Sequence, residues 1–287
     1  MLPLPSRPDL PRLTRAGLPL TREVEVLDEF GQRRTIQIPA ERPLTLYVDK
    51  REVVTLMTLG SAPELLALGY LRNQQLVADL DDIESVTVDW DVGAAAVKTH
   101  EKTRISADLE ARTARRIVTT GCGQGTMFGS LMDEIDQVKL REDVTLSDEQ
   151  LFVLIEKVRK HETIYKQAGA VHGCALATRA GEILMFVEDV GRHNAVDAIA
   201  GFMWLDAIDG SDKVFYTTGR LTSEMVIKCA QMRIPFLVSR SGLTQMGHRI
   251  ADKIGITMLG RASGRHYLAF TGRQRLVRTA PQPTAVA

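Results

Sequence analysis

Between residues 172 and 259 short apolar runs alternate with amphipathic stretches, and few architectures accommodate that order. Cys174–Thr178 and Glu182–Val187 flank Arg179-Ala180-Gly181, a hairpin signal. Asn194–Leu205 then reads as a helix, with Val196, Ile199, Ala200 and Met203 on one face. Val214–Thr217, Pro235–Ser239 and Ile256–Leu259 read as strands, separated by helices over Ser223–Met232 and Gln245–Ile254. A β-α-β-α-β run closes only through right-handed crossovers, so its strands must be parallel. The fold class is α/β with a mixed sheet.

Upstream the pattern changes to that of a small α+β unit. Pro43–Val48 and Glu52–Met57 favour strands around a turn at Asp49-Lys50-Arg51. Ser61 is placed to cap a helix with Pro63 and Glu64 in its first turn and Leu65, Leu68 and Leu71 at helical spacing. Val86, Val88 and Trp90 alternate with Thr87 and Asp89, as in a half-buried strand. A capping box at Ser147 and Gln150 starts a helix expected to reach Ala168, with Leu151, Leu154, Ile155 and Val158 as its buried stripe. The expected organisation is a flexible arm over 1–20, an α+β domain over 21–118, and a glycine-rich cysteine loop and connector over 119–145. An α/β domain over 146–272 and a flexible tail over 273–287 complete it.

Of 287 residues 44% are hydrophobic, enough to bury a core without staples. Runs such as Ile183–Val187 are too short to span a bilayer, and the proline- and arginine-bearing start lacks a continuous apolar segment of the secretory kind. The cytoplasm is the expected compartment, and three separated cysteines fit reduced thiols. The 36 Lys and Arg balance 36 Asp and Glu. No whole-molecule field therefore attracts nucleic acid or a membrane, and any anion site must be built locally.

The residues at the strand ends suggest such a site. Arg192, Arg220, Arg240 and Arg261 each stand just past a strand end, 28, 20 and 21 residues apart, close to one β-α unit per step. The last three should converge on one sheet edge, where open α/β sheets bind ligands and helix N-termini present unpaired N–H groups. Arginines there fork onto phosphate oxygens, which points to a polyphosphate or nucleotide, with Thr222, Ser223 and Ser241 in the same loops. The alternative is solvated loop charges, or ion pairs with Glu188, Asp189 and Glu224. His193, one helical turn from Asp197 and preceded by Asp189, is either part of a capped ion pair or a ligand clamp or proton relay.

The stretch Gly121–Gly129, GCGQGTMFG, holds four glycines in nine residues, too many for a regular element, and carries Cys122 near its start. A thiol on such a loop is accessible, and bared backbone N–H groups favour its thiolate, so Cys122 is the candidate nucleophile. Cys229, on an apolar helix face, and Cys174, on a strand, read as core. No C-x-x-C pair and no deaminase zinc signature occurs, so no structural metal is expected. P-loop and dinucleotide fingerprints are also missing.

Together TTGCG at Thr119–Gly123, VHGCALA at Val171–Ala177, EDVGRHNAVD at Glu188–Asp197, TGRLTSEMVIKCA at Thr218–Ala230 and IPFLVSRSGLT at Ile234–Thr244 resemble the formate dehydrogenase accessory sulfurtransferases (FdhD). GITMLGRASGRHYLAF at Gly255–Phe270 and the segment Glu41–Leu71 extend the likeness over roughly residues 40–270. The resemblance implies a cytidine-deaminase-like α/β domain without zinc chemistry, and a homodimer. It implies that sulfur from a cysteine desulfurase rides on Cys122 as a persulfide and passes to the bis-molybdopterin guanine dinucleotide cofactor of formate dehydrogenase. That cofactor is a bound substrate which a guanine nucleotide would mimic. The cofactor-binding segment carries over onto Arg261, Ala262, Ser263, Gly264, Arg265 and His266, and the nucleotide pocket onto Arg220 and Arg240, with Arg192 and His193 in the shared EDVGRHNAVD motif. Many relatives have C-x-x-C in the loop, whereas here Gly125 stands where the second thiol would fall, so the loop lacks the second cysteine that a two-cysteine relay requires. A non-catalytic chaperone that binds and delivers the cofactor is the alternative.

Overall fold

The computed structural model describes residues 10–100, 135 and 138–279, and these divide into two compact units. The first takes 10–100, 162–174 and 187–208; the second takes 135, 138–161, 175–186 and 209–279.

The chain begins with β1 (Arg12–Leu13), a hairpin of β2 (Thr21–Leu27) and β3 (Arg33–Pro39), then β4 (Arg42–Val48) and β5 (Arg51–Thr58). Helix α1 (Pro63–Asn73), β6 (Ile83–Asp89) and β7 (Ala94–Thr99) follow. Among the described residues five strands form one sheet in the order β1-β6-β7-β4-β5, while β2 and β3 pair only with each other. Val48 pairs with Arg51, so the turn between β4 and β5 is one residue tighter than the sequence suggests. Its two residues, Asp49 and Lys50, have φ of 46° and 69°, the sign that matches strand twist. The Asp49 carboxylate helps hold this geometry by accepting the Thr99 N–H at 2.9 Å and hydroxyl at 2.6 Å.

Part of the expected N-terminal arm is docked. Arg12 and Leu13 pair in parallel with Ser85 and Val86, and the buried Glu64 carboxylate of α1 accepts the Thr14 hydroxyl at 2.9 Å and the Ala16 N–H at 2.7 Å. Ser61 does not cap α1. The cap position is Ala62, followed by Pro63, whose missing N–H needs no partner there; the Ser61 hydroxyl instead donates to the Glu188 carbonyl at 3.1 Å.

Past residue 145, β8 (Leu146–Ser147) leads into α2 (Asp148–His161). Its capping box forms as expected: Ser147 Oγ accepts the Gln150 N–H at 3.2 Å, and Gln150 Oε1 accepts the Ser147 N–H at 2.9 Å. The helix stops at His161, and a separate short α3 (Ile164–Ala168) follows. The break has a tertiary cause. The Glu188 carboxylate accepts the N–H groups of Thr163, Ile164 and Tyr165 and the Thr163 hydroxyl, all at 2.9–3.0 Å, and so replaces the carbonyls of a continuing helix.

The rest of the chain runs β9 (His172–Thr178), β10 (Ile183–Asp189), α4 (Arg192–Leu205), β11 (Lys213–Thr217), α5 (Ser223–Gln231), β12 (Phe236–Ser239) and α6 (Gln245–Ile254). It ends in β13 (Thr257–Ser263), β14 (His266–Thr271) and β15 (Leu276–Val277), the last paired with β8. A six-stranded sheet has the order β10-β9-β11-β12-β13-β14. β11, β12 and β13 are parallel, as the alternation requires, and β14 returns antiparallel to β13. Leu151, Leu154, Ile155 and Val158 of α2 pack with Val214, Tyr216, Phe236 and Val238, each burial contributing about 1.5–3 kcal/mol.

In the first unit α1 and α4 cross at their glycines. A β-carbon on Gly69 would stand 1.7 Å from the Asp197 carbonyl oxygen, and one on Gly201 2.0 Å from that of Leu65. The Asn73 amide donates to Asp197 Oδ1 at 2.7 Å, and Arg72 to the Ala200 carbonyl at 3.1 Å. α4 is thus buried almost all round, polar residues included, where the sequence suggests a single buried face.

Candidate functional site

The loops after β11 and β12 are tied together by the last residue of each strand. Thr217, which ends β11, accepts the Gly219 N–H on its hydroxyl and the Arg240 N–H on its carbonyl, both at 3.0 Å. Ser239, which ends β12, donates its hydroxyl to the Gly219 carbonyl at 2.7 Å and accepts the Ser241 N–H at 3.0 Å. The Ser241 carbonyl then accepts the Arg261 N–H at 2.7 Å, and the Leu221 N–H donates to the Gly242 carbonyl at 3.0 Å. The backbones of Arg220, Arg240 and Arg261 are therefore held in one ridge at the carboxyl edge of the parallel strands. Arg220 and Arg261 are exposed and Arg240 half-buried.

Arg261 differs from its expected place. It lies inside β13 rather than beyond it, with φ of 53° at an irregularity between Gly260 and Ser263. Such a bulge re-aims a side chain, and the left-handed backbone of a non-glycine residue costs about 1–2 kcal/mol. Of the following segment, Ala262 points into the core, and Gly264, with φ of 58°, turns the chain into β14. Ser263 and His266 are exposed opposite each other. The Arg265 guanidinium lies 4.8 Å from the Phe152 ring centroid, so within 261–266 only Arg261 is tied to the ridge.

Two helices start beside these loops, and they are finished differently. Thr244 caps α6, its hydroxyl accepting the Gly247 N–H at 3.2 Å. Thr222 holds the cap position of α5 in extended geometry, yet its side chain makes no cap bond, and its buried hydroxyl has no hydrogen-bond partner among the described residues. The first-turn N–H groups of α5, starting at Ser223, thus receive no acceptor from their own cap, an arrangement suited to an anion.

Arg192 and His193 belong to the first unit, in the first turn of α4, and each is only 6% exposed. Arg192 Nε has no hydrogen-bond partner among the described residues. Its acidic neighbours in sequence are engaged elsewhere. Glu188 is spent on α3, and Asp189 accepts the Thr58 hydroxyl at 2.5 Å, the Leu59 and Gly191 N–H groups at 3.0 and 2.9 Å, and the Asn194 amide at 3.0 Å. Burial pushes the Asp189 carboxyl up from its ordinary value, against these four donors. Glu224 stands 3.4 Å from Lys228, one turn along α5.

Cys122 and the stretch Gly121–Gly129 lie outside the described residues. Cys174 and Cys229 form no disulfide among the described residues and are fully buried, as their apolar surroundings in the sequence suggest. The residues that sequence reasoning passed over are Thr217 and Ser239. Their signal is a hydroxyl at the last position of an otherwise apolar strand, in FYT and FLVS.

Residues 39–277 match the FdhD/NarQ family. A relative from Listeria innocua described as sulfur carrier protein FdhD is 30% identical over 241 residues, covering 83% of this chain and 91% of its own. One of the same description from Wolinella succinogenes is 27% identical over 259 residues, 88% of each chain. The crystal structure of a protein from Desulfotalea psychrophila, described as a formate dehydrogenase accessory protein, superposes with a TM-score of 0.71 at 24% identity. It is covered completely and covers 90% of this chain, a likeness of fold.

Proposed function

Because the chain belongs to the FdhD/NarQ family, we propose that it is a sulfurtransferase serving formate dehydrogenase. In this reading a cysteine desulfurase presents a persulfide, and the Cys122 thiolate attacks its terminal sulfur. A new S–S bond forms on Cys122, the donor's own S–S bond breaks, and the donor cysteine leaves as thiolate. Onward transfer breaks the Cys122 persulfide bond and regenerates the thiolate, the acceptor centre supplying the electron pair that binds the sulfur. The acceptor is the bis-molybdopterin guanine dinucleotide cofactor, held as a substrate.

The observation that carries the reading is the ridge of Arg220, Arg240 and Arg261 beside the uncapped start of α5. Forked guanidinium groups and the N–H groups of a helix N-terminus bind pyrophosphate oxygens, and the guanine dinucleotide supplies them. We further take the strand order of the six-stranded sheet, with a hairpin at one end and three parallel strands beyond it, as a cytidine-deaminase-like arrangement. A homodimer in the cytoplasm completes the proposal.

Incubating the protein with a cysteine desulfurase and cysteine tests it. Intact mass should show one added sulfur atom that reductant removes, absent from Cys122→Ala, and that variant should fail to activate formate dehydrogenase in cells lacking their own copy. A protein that binds GDP yet never gains sulfur would instead be a cofactor chaperone, a reading favoured by Gly125 in place of a second thiol.

A further inference from the structure

Beside the arginine ridge the second unit carries apolar side chains that its main core does not use. Along β14 the side chains alternate. Tyr267 and Ala269 pack against the core that includes Phe152, so Leu268 stands on the opposite face; Phe270, the extra residue where the pairing with β13 is irregular between Ala269 and Thr271, joins it there by reaching Gly260, the partner of Leu268. Leu268 is 40% exposed and Phe270 is partly exposed. An edge strand that shows leucine and phenylalanine invites association unless those residues have a use.

Glycine makes room for the ring. A β-carbon on Gly260 would lie 2.9 Å from Phe270 Cε2, 3.5 Å from a Leu243 methyl and 3.4 Å from the Ser241 carbonyl oxygen. Phe270 therefore settles over bare backbone beside Leu243, and the Ser241 carbonyl next to it is the one that holds the Arg261 N–H. Leu268 sits across from Gly260 in the strand pair. An aromatic ring with an aliphatic rim thus adjoins the cationic ridge, and this juxtaposition matches a ligand that is flat and apolar at one end and anionic at the other.

We propose that Phe270, rimmed by Leu243 and Leu268, is the platform on which the purine base of a nucleoside diphosphate lies while its phosphates engage Arg220 and Arg240. The inference rests on the nucleotide reading above and adds to it the residue that recognises the base. Stacking on an aromatic face is a property of the base alone, so it separates cleanly from phosphate binding.

The test is calorimetric titration of the full chain with GDP and, separately, with inorganic pyrophosphate. Wild type should bind GDP more tightly than pyrophosphate. Phe270→Leu, which keeps an apolar side chain but removes the π face, should weaken GDP about tenfold and leave pyrophosphate within about twofold. Phe270→Tyr should restore the GDP advantage, and Leu268→Ala, at an exposed position that folding tolerates, should lower it severalfold. An undiminished GDP advantage in Phe270→Leu overturns the platform alone, as does an equal loss for both ligands. If wild type binds neither ligand, the nucleotide reading falls and the platform with it.

Discussion

Tyr267 and Asp148 show how much one polar contact can govern at the margin of an apolar core. The Tyr267 hydroxyl donates to Asp148 Oδ1 at 2.5 Å, and the Thr279 N–H reaches the other oxygen at 3.3 Å. Burial first, then this hydrogen bond and the Asp148 charge, push the phenol up to about 12. A pKa raised on folding means that the folded state holds the proton more tightly. The associated stability is complete below the ordinary phenol value near 10 and is lost as pH rises through about 12. Tyr267→Phe should therefore lower stability at neutral pH by about 1.5 kcal/mol, the worth of a hydrogen bond to a charged group. Its deficit against wild type should shrink between pH 10 and pH 12, as urea unfolding across that range would show. A deficit constant with pH would mean that the contact does not titrate with folding.

At the level of elements, the α1–α4 crossing is the most demanding join in the first unit. Replacing a helical glycine with alanine ordinarily gains about 1 kcal/mol of helix propensity. At Gly201 the added methyl would meet the Leu65 carbonyl oxygen at 2.0 Å, which side-chain rotation cannot relieve. Gly201→Ala should thus cost about 3 kcal/mol or more in denaturant unfolding, and a gain would show that the helices cross less closely. Nothing in the local sequence marks this, because Gly69 and Gly201 are far apart in the chain. What was legible is what period and caps encode: the Ser147–Gln150 box, the parallel β11, β12 and β13, and the stripe of α2. The β2–β3 hairpin was also there to be read, since Val24, Val26, Ile36 and Ile38 alternate with polar residues around Asp28-Glu29-Phe30-Gly31-Gln32. By contrast, the end of α2 depended on Glu188, far along the chain, and Ser61 lost its capping role to a tertiary contact.

For the molecule as a whole, charge decides how an anion can be held. With 36 cationic and 36 acidic side chains there is no net field to draw one in, so affinity has to come from groups in contact with it. The spacing of the arginines was legible because each β-α unit repeats at nearly the same length. The hydroxyls of Thr217 and Ser239 that tie their loops into a ridge were not, since a hydrogen bond between loops leaves no periodic trace. A matched pair of substitutions separates contact from net charge. Arg220→Gln and Lys253→Gln each remove one positive charge from an exposed position. Lys253 lies near the far end of α6, about 12 Å along the helix from its start at Gln245, beyond the ~8 Å screening length at physiological salt. Arg220→Gln should weaken GDP about tenfold, as loss of a forked charge-assisted bond does, while Lys253→Gln should stay within about twofold. Raising the salt concentration should weaken wild type more than Arg220→Gln, because the variant has already lost a screened contact. Equal losses from the two substitutions would mean that diffuse charge, and not the ridge, holds the phosphates.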